Sequence, residues 1–257
     1  MDVRTRVSLG VLSIASVTLL AACGGQAPAN KAAEPAAKPA AAAPVDVKAH
    51  MDEHFAKAAE VQAAVVRGDV SGAKAGAQWI AEHQETAGLP ASGQPALDEM
   101  KKAARAVADA PDIKAAALGT ADLAVSCGSC HAASHAKVTF PAAVPPAAKG
   151  ETDAQMLAHQ HATDLLYEGL VGPSDESWAE GAKALKAAPF SGAKMPKPPK
   201  PSKDIAKAEA EVDAIADKAL TATDATARGA VYAALVASCA SCHALYGRVL
   251  GEGLPKK

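Results

Sequence analysis

The same short segment occurs twice in this chain, and its placement restricts the fold more than any other feature. Residues 126–131 read SCGSCH and residues 238–243 read SCASCH, so four of the five cysteines are spent on two copies of one pattern. Cys127 and Cys239 stand 112 residues apart, and each copy falls late in its half of a 257-residue chain. That length suits one or two ordinary domains. Other positions repeat as well. Met51-Asp52-Glu53-His54 corresponds to Met156-Leu157-Ala158-His159, and Ala75-Gly76-Ala77 to Glu180-Gly181-Ala182, both at an offset of 105. Self-similarity at a steady offset implies a tandem duplication, so the second half should fold as the first does.

Helix is the expected content of both halves. Hydrophobic residues make up 49% of the chain but aromatics only 3%, and alanine, the best helix former, dominates the apolar share. Val47, Met51, His54, Ala58, Val61 and Val65 recur at steps of four and three, the stripe of an amphipathic helix that stops at Arg67-Gly68-Asp69. Further helices are expected over about 71–82, 95–109 and 113–135. In the second half the corresponding stripe is Met156, His159, Thr163, Leu166 and Leu170, closed by Gly172-Pro173. Helices over about 176–186, 205–220 and 223–246 follow it. The expected fold is all-α: a first domain over 46–137, a Pro/Ala linker over 138–152 and a second domain over 153–257. A core of alanines is thin, since each small side chain removes little area from water. Something besides side chains is expected to fill it, and the unfilled chain is expected to fold poorly.

The N-terminus reads as a targeting segment. Arg4 and Arg6 precede an apolar run from Val7 to Leu20, the pattern of an export signal and too short for a good membrane span. Leu20-Ala21-Ala22-Cys23 resembles the bacterial lipoprotein lipobox, which implies cleavage after residue 22 and lipid attachment at Cys23. Residues 23–45, rich in Ala and Pro, then form a disordered tether. The net charge of -2 offers no basic patch, so nucleic acid is not an expected partner.

Cys-x-x-Cys-His admits few chemistries. A thioredoxin-like redox pair wants a βαβ setting, and the sequence holds no convincing strand. A closed structural zinc site wants four ligands, and each copy has three. A disulfide between cysteines so close would close a tiny loop and stabilise little. Covalent c-type haem attachment accounts for every residue of the pattern. On a helix, positions i, i+3 and i+4 share a face, so two thioethers and one imidazole can reach the same macrocycle. Cys127, Cys130, Cys239 and Cys242 are therefore expected to carry two covalently bound haem c groups, with His131 and His243 as proximal iron ligands. Export fits this chemistry, which in bacteria takes place outside the cytoplasm.

The place of the motif adds a resemblance. Small class I c-type cytochromes carry it near the N-terminus, whereas here it closes the fourth helix of each repeat. In this the chain resembles the class II c-type cytochromes, the cytochrome c-prime group and its low-spin relatives. The resemblance spans most of 46–136 and 153–248 and rests on Cys127, Cys130, His131, Cys239, Cys242 and His243. It implies two tandem four-helix bundles, with haem packed between helices and the first helix lining its distal face. His54 and His159 are then the preferred distal ligands, Met51 and Met156 the second choice, and an open iron the third. Histidine pairs would hold lower potentials than histidine with methionine.

Two functions follow. The first is electron transfer, not catalysis: a periplasmic cytochrome, lipid-anchored to a bacterial membrane, exchanging electrons with periplasmic or membrane redox proteins. The second is a haem protein with an open axial site that binds a small gas or reduces peroxide. A basic, proline-rich stretch over 194–203 is expected to be a solvated loop.

Overall fold

In the computed structural model, the described residues are 46–83, 89–140, 147–191, 193, 195 and 203–246. The expected export signal and tether, Cys23 and nearly all of the stretch over 194–203 lie outside them, as do residues 141–146 of the expected linker. Eight α-helices follow in order, and among the described residues there is no strand. The first four are α1 (Val47–Val66), α2 (Val70–Glu82), α3 (Gln94–Ala108) and α4 (Ile113–Ser134), with a single 3-10 turn at Ala91–Gly93. The second four are α5 (Glu151–Val171), α6 (Asp175–Ala187), α7 (Lys203–Ala219) and α8 (Ala225–Leu245).

The helix starts are written locally. Asp46, Asp69, Asp112 and Asp224 each accept a hydrogen bond from the backbone N–H three residues on, and Ser174 does the same for Ser177. Such caps satisfy one of the donors that a helix N-terminus leaves bare and contribute about 0.5–2 kcal/mol each. Gly68, at φ 79°, supplies the left-handed turn after α1.

Consecutive helices pack side by side within each half, and the first also meets the fourth: α1 with α4, α5 with α8. The halves join along α4 and α8, with α5 against α4 and α1 against α8. One apolar core runs through helices on both sides of the 138–152 segment. The described residues accordingly form one compact unit. α4 is covered almost all round, with Ala116, Ala117, Gly119, Thr120, Ala121, Leu123 and Ala124 buried, as befits a helix at the centre of a protein. Its buried hydroxyls stay partnered, Thr120 donating to the Ala116 carbonyl and Ser126 to that of Leu123.

At the middle of the junction sit two buried tyrosines. The rings of Tyr167 and Tyr232 lie 5.7 Å apart. Gln62 of α1 donates to the Tyr232 hydroxyl at 2.8 Å and reaches Asp164 of α5 at 3.4 Å. The Tyr167 hydroxyl is buried without a partner.

Candidate functional site

Both motifs lie in the last turns of long helices, Cys127–His131 in α4 and Cys239–His243 in α8. Cys127 and Cys239 are partly buried and packed against the core. Burial pushes each of these thiols up to about 12. Burial likewise raises Cys130, while burial and the Glu209 carboxylate push Cys242 up to about 11. All four cysteines are free. A redox or zinc thiolate is made by lowering the thiol, as positive charge or a helix N-terminus does, and these surroundings act in the opposite sense. Among the described residues no group of three or more His, Cys, Asp or Glu side chains converges on a point. A porphyrin asks for something different: two sulfurs and a nitrogen spread along one helix face.

The motif histidines make a matched pair of bonds. His131 Nδ1 lies 2.7 Å from the carbonyl oxygen of Val171, the last residue of α5. His243 Nδ1 lies 2.9 Å from the carbonyl oxygen of Val66, the last residue of α1. A carbonyl only accepts, so in both rings Nδ1 carries a proton, and in the neutral form of either ring the lone pair would be on Nε2. This is the tautomer of a histidine that binds metal through Nε2, oriented by its other nitrogen. Val66 and Val171 are related by the same offset of 105 as Met51 and Met156. Each bond crosses from one half to the other.

The expected distal residues are also matched. His54 and His159 are both buried, each 7% exposed. His54 donates through Nε2 to the His83 carbonyl at 2.8 Å, and His159 through Nε2 to the Ala188 carbonyl at 2.6 Å. These two carbonyls, one residue past α2 and α6, again differ by 105. Burial lowers both imidazoles below the usual histidine value, so they are neutral near pH 7. His54 Nδ1 is left buried and unpartnered. Met51 and Met156 are half-buried. In the first half a Cβ on Gly93 would stand 2.8 Å from Cys130 Sγ. Met100 Sδ lies 4.0 Å from Cys127 Sγ.

The residues thus fit a covalently held haem on the attachment side. The thiols are protonated and free, and the histidine tautomer is set for iron. On the distal side the fit is looser, because His54 and His159 each spend Nε2 on a carbonyl. The sequence pattern pointed to every one of these side chains but not to the Val66 and Val171 carbonyls. Any residue has a carbonyl, and only the packing shows which ones face an imidazole. No helix among the described residues is long and apolar enough to cross a membrane.

No family model, curated protein or solved structure matches the chain.

Proposed function

We propose that this chain is a dihaem c-type cytochrome, tethered to a bacterial membrane through Cys23, that exchanges single electrons with periplasmic or membrane redox proteins. In this reading α1–α4 and α5–α8 are two tandem four-helix units of the class II kind. Cys127 with Cys130, and Cys239 with Cys242, hold one haem each, and His131 and His243 take the proximal positions. Bound there, haem supplies a one-electron iron couple. The protein's part is to hold the ring in a dry, alanine-lined setting and to orient the imidazole.

The observation that carries the reading is the matched pair of Nδ1–carbonyl bonds at His131 and His243. Two unrelated histidines would have no reason to share one tautomer and one kind of partner at repeat-related positions.

A specific observation also favours the second reading, an iron with an open axial position. The Nε2 atoms of His54 and His159 are already bonded to carbonyls. Ligation through His54 would use the bare Nδ1 or require the ring to turn away from His83. Absorption and EPR spectra of the exported protein decide between them. Two low-spin haems per chain, unchanged by carbon monoxide when reduced, are the carrier's result. A high-spin, carbon monoxide-binding spectrum transfers the assignment to the gas or peroxide reading. Absence of any covalent haem on a denaturing gel overturns both.

A further inference from the structure

The crossed histidine bonds have a steric counterpart. α4 carries Gly128 between its two cysteines, and a Cβ there would land on the Leu170 carbonyl oxygen at the end of α5, with Pro173 Cδ 3.7 Å away. The second motif has Ala240 in the same place, and it sits against Gly68 at the end of α1: a Cβ on Gly68 would lie 3.6 Å from the Ala240 oxygen and 3.9 Å from its Cβ. One glycine serves each contact, on the motif helix in the first case and on the opposing turn in the second. Gly128 admits the close approach that brings Val171 to His131, whereas a Cβ on Gly68 would make only ordinary van der Waals contact and the glycine there serves the φ 79° turn that follows Val66. The carbonyls concerned belong to the last turns of α5 and α1, where a helix leaves its C=O groups without internal donors. There the backbone dipoles also concentrate negative potential. An Nδ1–H held by such a group makes the imidazole a stronger donor through Nε2.

We infer that each motif histidine is positioned by the opposite half, the end of α5 setting His131 and the end of α1 setting His243. The electronic character of either iron is thereby controlled from the first helix of the other repeat. This rests on the haem reading and adds the route of control. A stronger imidazole donor favours ferric iron, so loosening one bond should raise the potential of the haem on that motif alone.

Gly128→Ala tests this in the full-length holoprotein. It converts CGSCH into CASCH, the motif the chain already carries at 239–243, so the attachment sequence remains one that the protein uses. Two readouts are taken. Potentiometric titration, with waves assigned from variants lacking one cysteine pair, should show an upward shift of the Cys127/Cys130 haem and no movement of the other. Solvent exchange of the His131 Nδ1 proton, followed by NMR of ring-labelled histidine, should speed up. Gly68→Ala is the reciprocal variant, straining the φ 79° turn after α1. It should move the Cys239/Cys242 haem and the His243 proton only, and it keeps the inference testable if Gly128→Ala does not fold.

Unmoved potentials and exchange rates in both variants would sink the inference, and so would a response of Gly68→Ala confined to the Cys127/Cys130 haem and the His131 proton. Haem counting on the parent protein separates this failure from failure of the haem reading. Two haems with unmoved waves reject crossed control alone. Without any haem, the proton exchange rates still show whether the crossed bonds exist.

Discussion

The two halves share a plan and differ in how they fill it. At the position where α2 has Ala73, α6 has Trp178, and both are buried. Trp178 donates through Nε1 to the Ala219 carbonyl at 2.9 Å. Arg228 lies over its ring, 5.3 Å from the centroid, and pairs with Asp175 at 2.7 Å. The first half closes its space with small residues instead. A Cβ on Gly119 of α4 would meet Val107 Cγ2 at 2.7 Å, so α3 and α4 lie too close for a side chain there. The corresponding residue of α8 is Val231. The surroundings of His54 and His159 differ as well. His54 has His50 at 4.4 Å and Trp79 at 5.2 Å between ring centroids, whereas His159 has Phe190 edge-on at 4.4 Å. Core filling therefore varies freely between the repeats, while the contacts to the motif and distal histidines are kept in register. What the two halves hold in common is the placing of four imidazoles.

The largest effect on that contrast is expected from Trp178→Ala. Removing a buried tryptophan that also binds Ala219 should cost about 3–5 kcal/mol. Trp79→Ala, on a half-exposed ring, should cost about 1–2 kcal/mol by lost area. Denaturant melts of the two variants that agreed within error would refute the picture of an anchored second half and a small-residue first half. Next comes Gln62→Ala, which strands the buried Tyr232 hydroxyl and should cost about 1–3 kcal/mol. Because Gln62 belongs to α1 and Tyr232 to α8, the loss should appear as earlier unfolding of both halves together; two separated transitions would argue against a shared junction. The smallest effect is Tyr167→Phe. It deletes a buried hydroxyl that has no partner, so stability should stay level or rise by about 1 kcal/mol. A marked fall would mean that the hydroxyl has a partner in solution.

The helices were legible in the sequence because their signals are local. The stripe from Val47 to Val65 and the stops at Gly68 and Gly172 locate ends to within a few residues. The site was legible as far as side chains go: motif cysteines, motif histidines and His54 with His159 all occupy repeat-related places. The junction between halves was not. α4 buries residues such as Ala117, Ala121 and Ala124, and an alanine surface signals helix without signalling direction. At the contact itself a Cβ on Gly229 would stand 2.9 Å from Val125 Cγ2, a closeness only three dimensions reveal. The bonding of the distal rings was hidden for the same reason. A buried histidine on a stripe suggests a ligand, but its Nε2 proton had a carbonyl to satisfy.

The exchanged histidine bonds also give the two sites different histories. The chain is made from its N-terminus. His131 is synthesised 40 residues before the carbonyl that will hold it, whereas His243 emerges to find its carbonyl waiting 177 residues upstream. Closing the longer loop costs roughly 1 kcal/mol more in chain entropy. The first site is thus early and quick to close once α5 exists, and the second is later, since it needs α8 as well as α1. A chain interrupted anywhere before α8 would leave Val66 without its imidazole, so the second closure waits on α8.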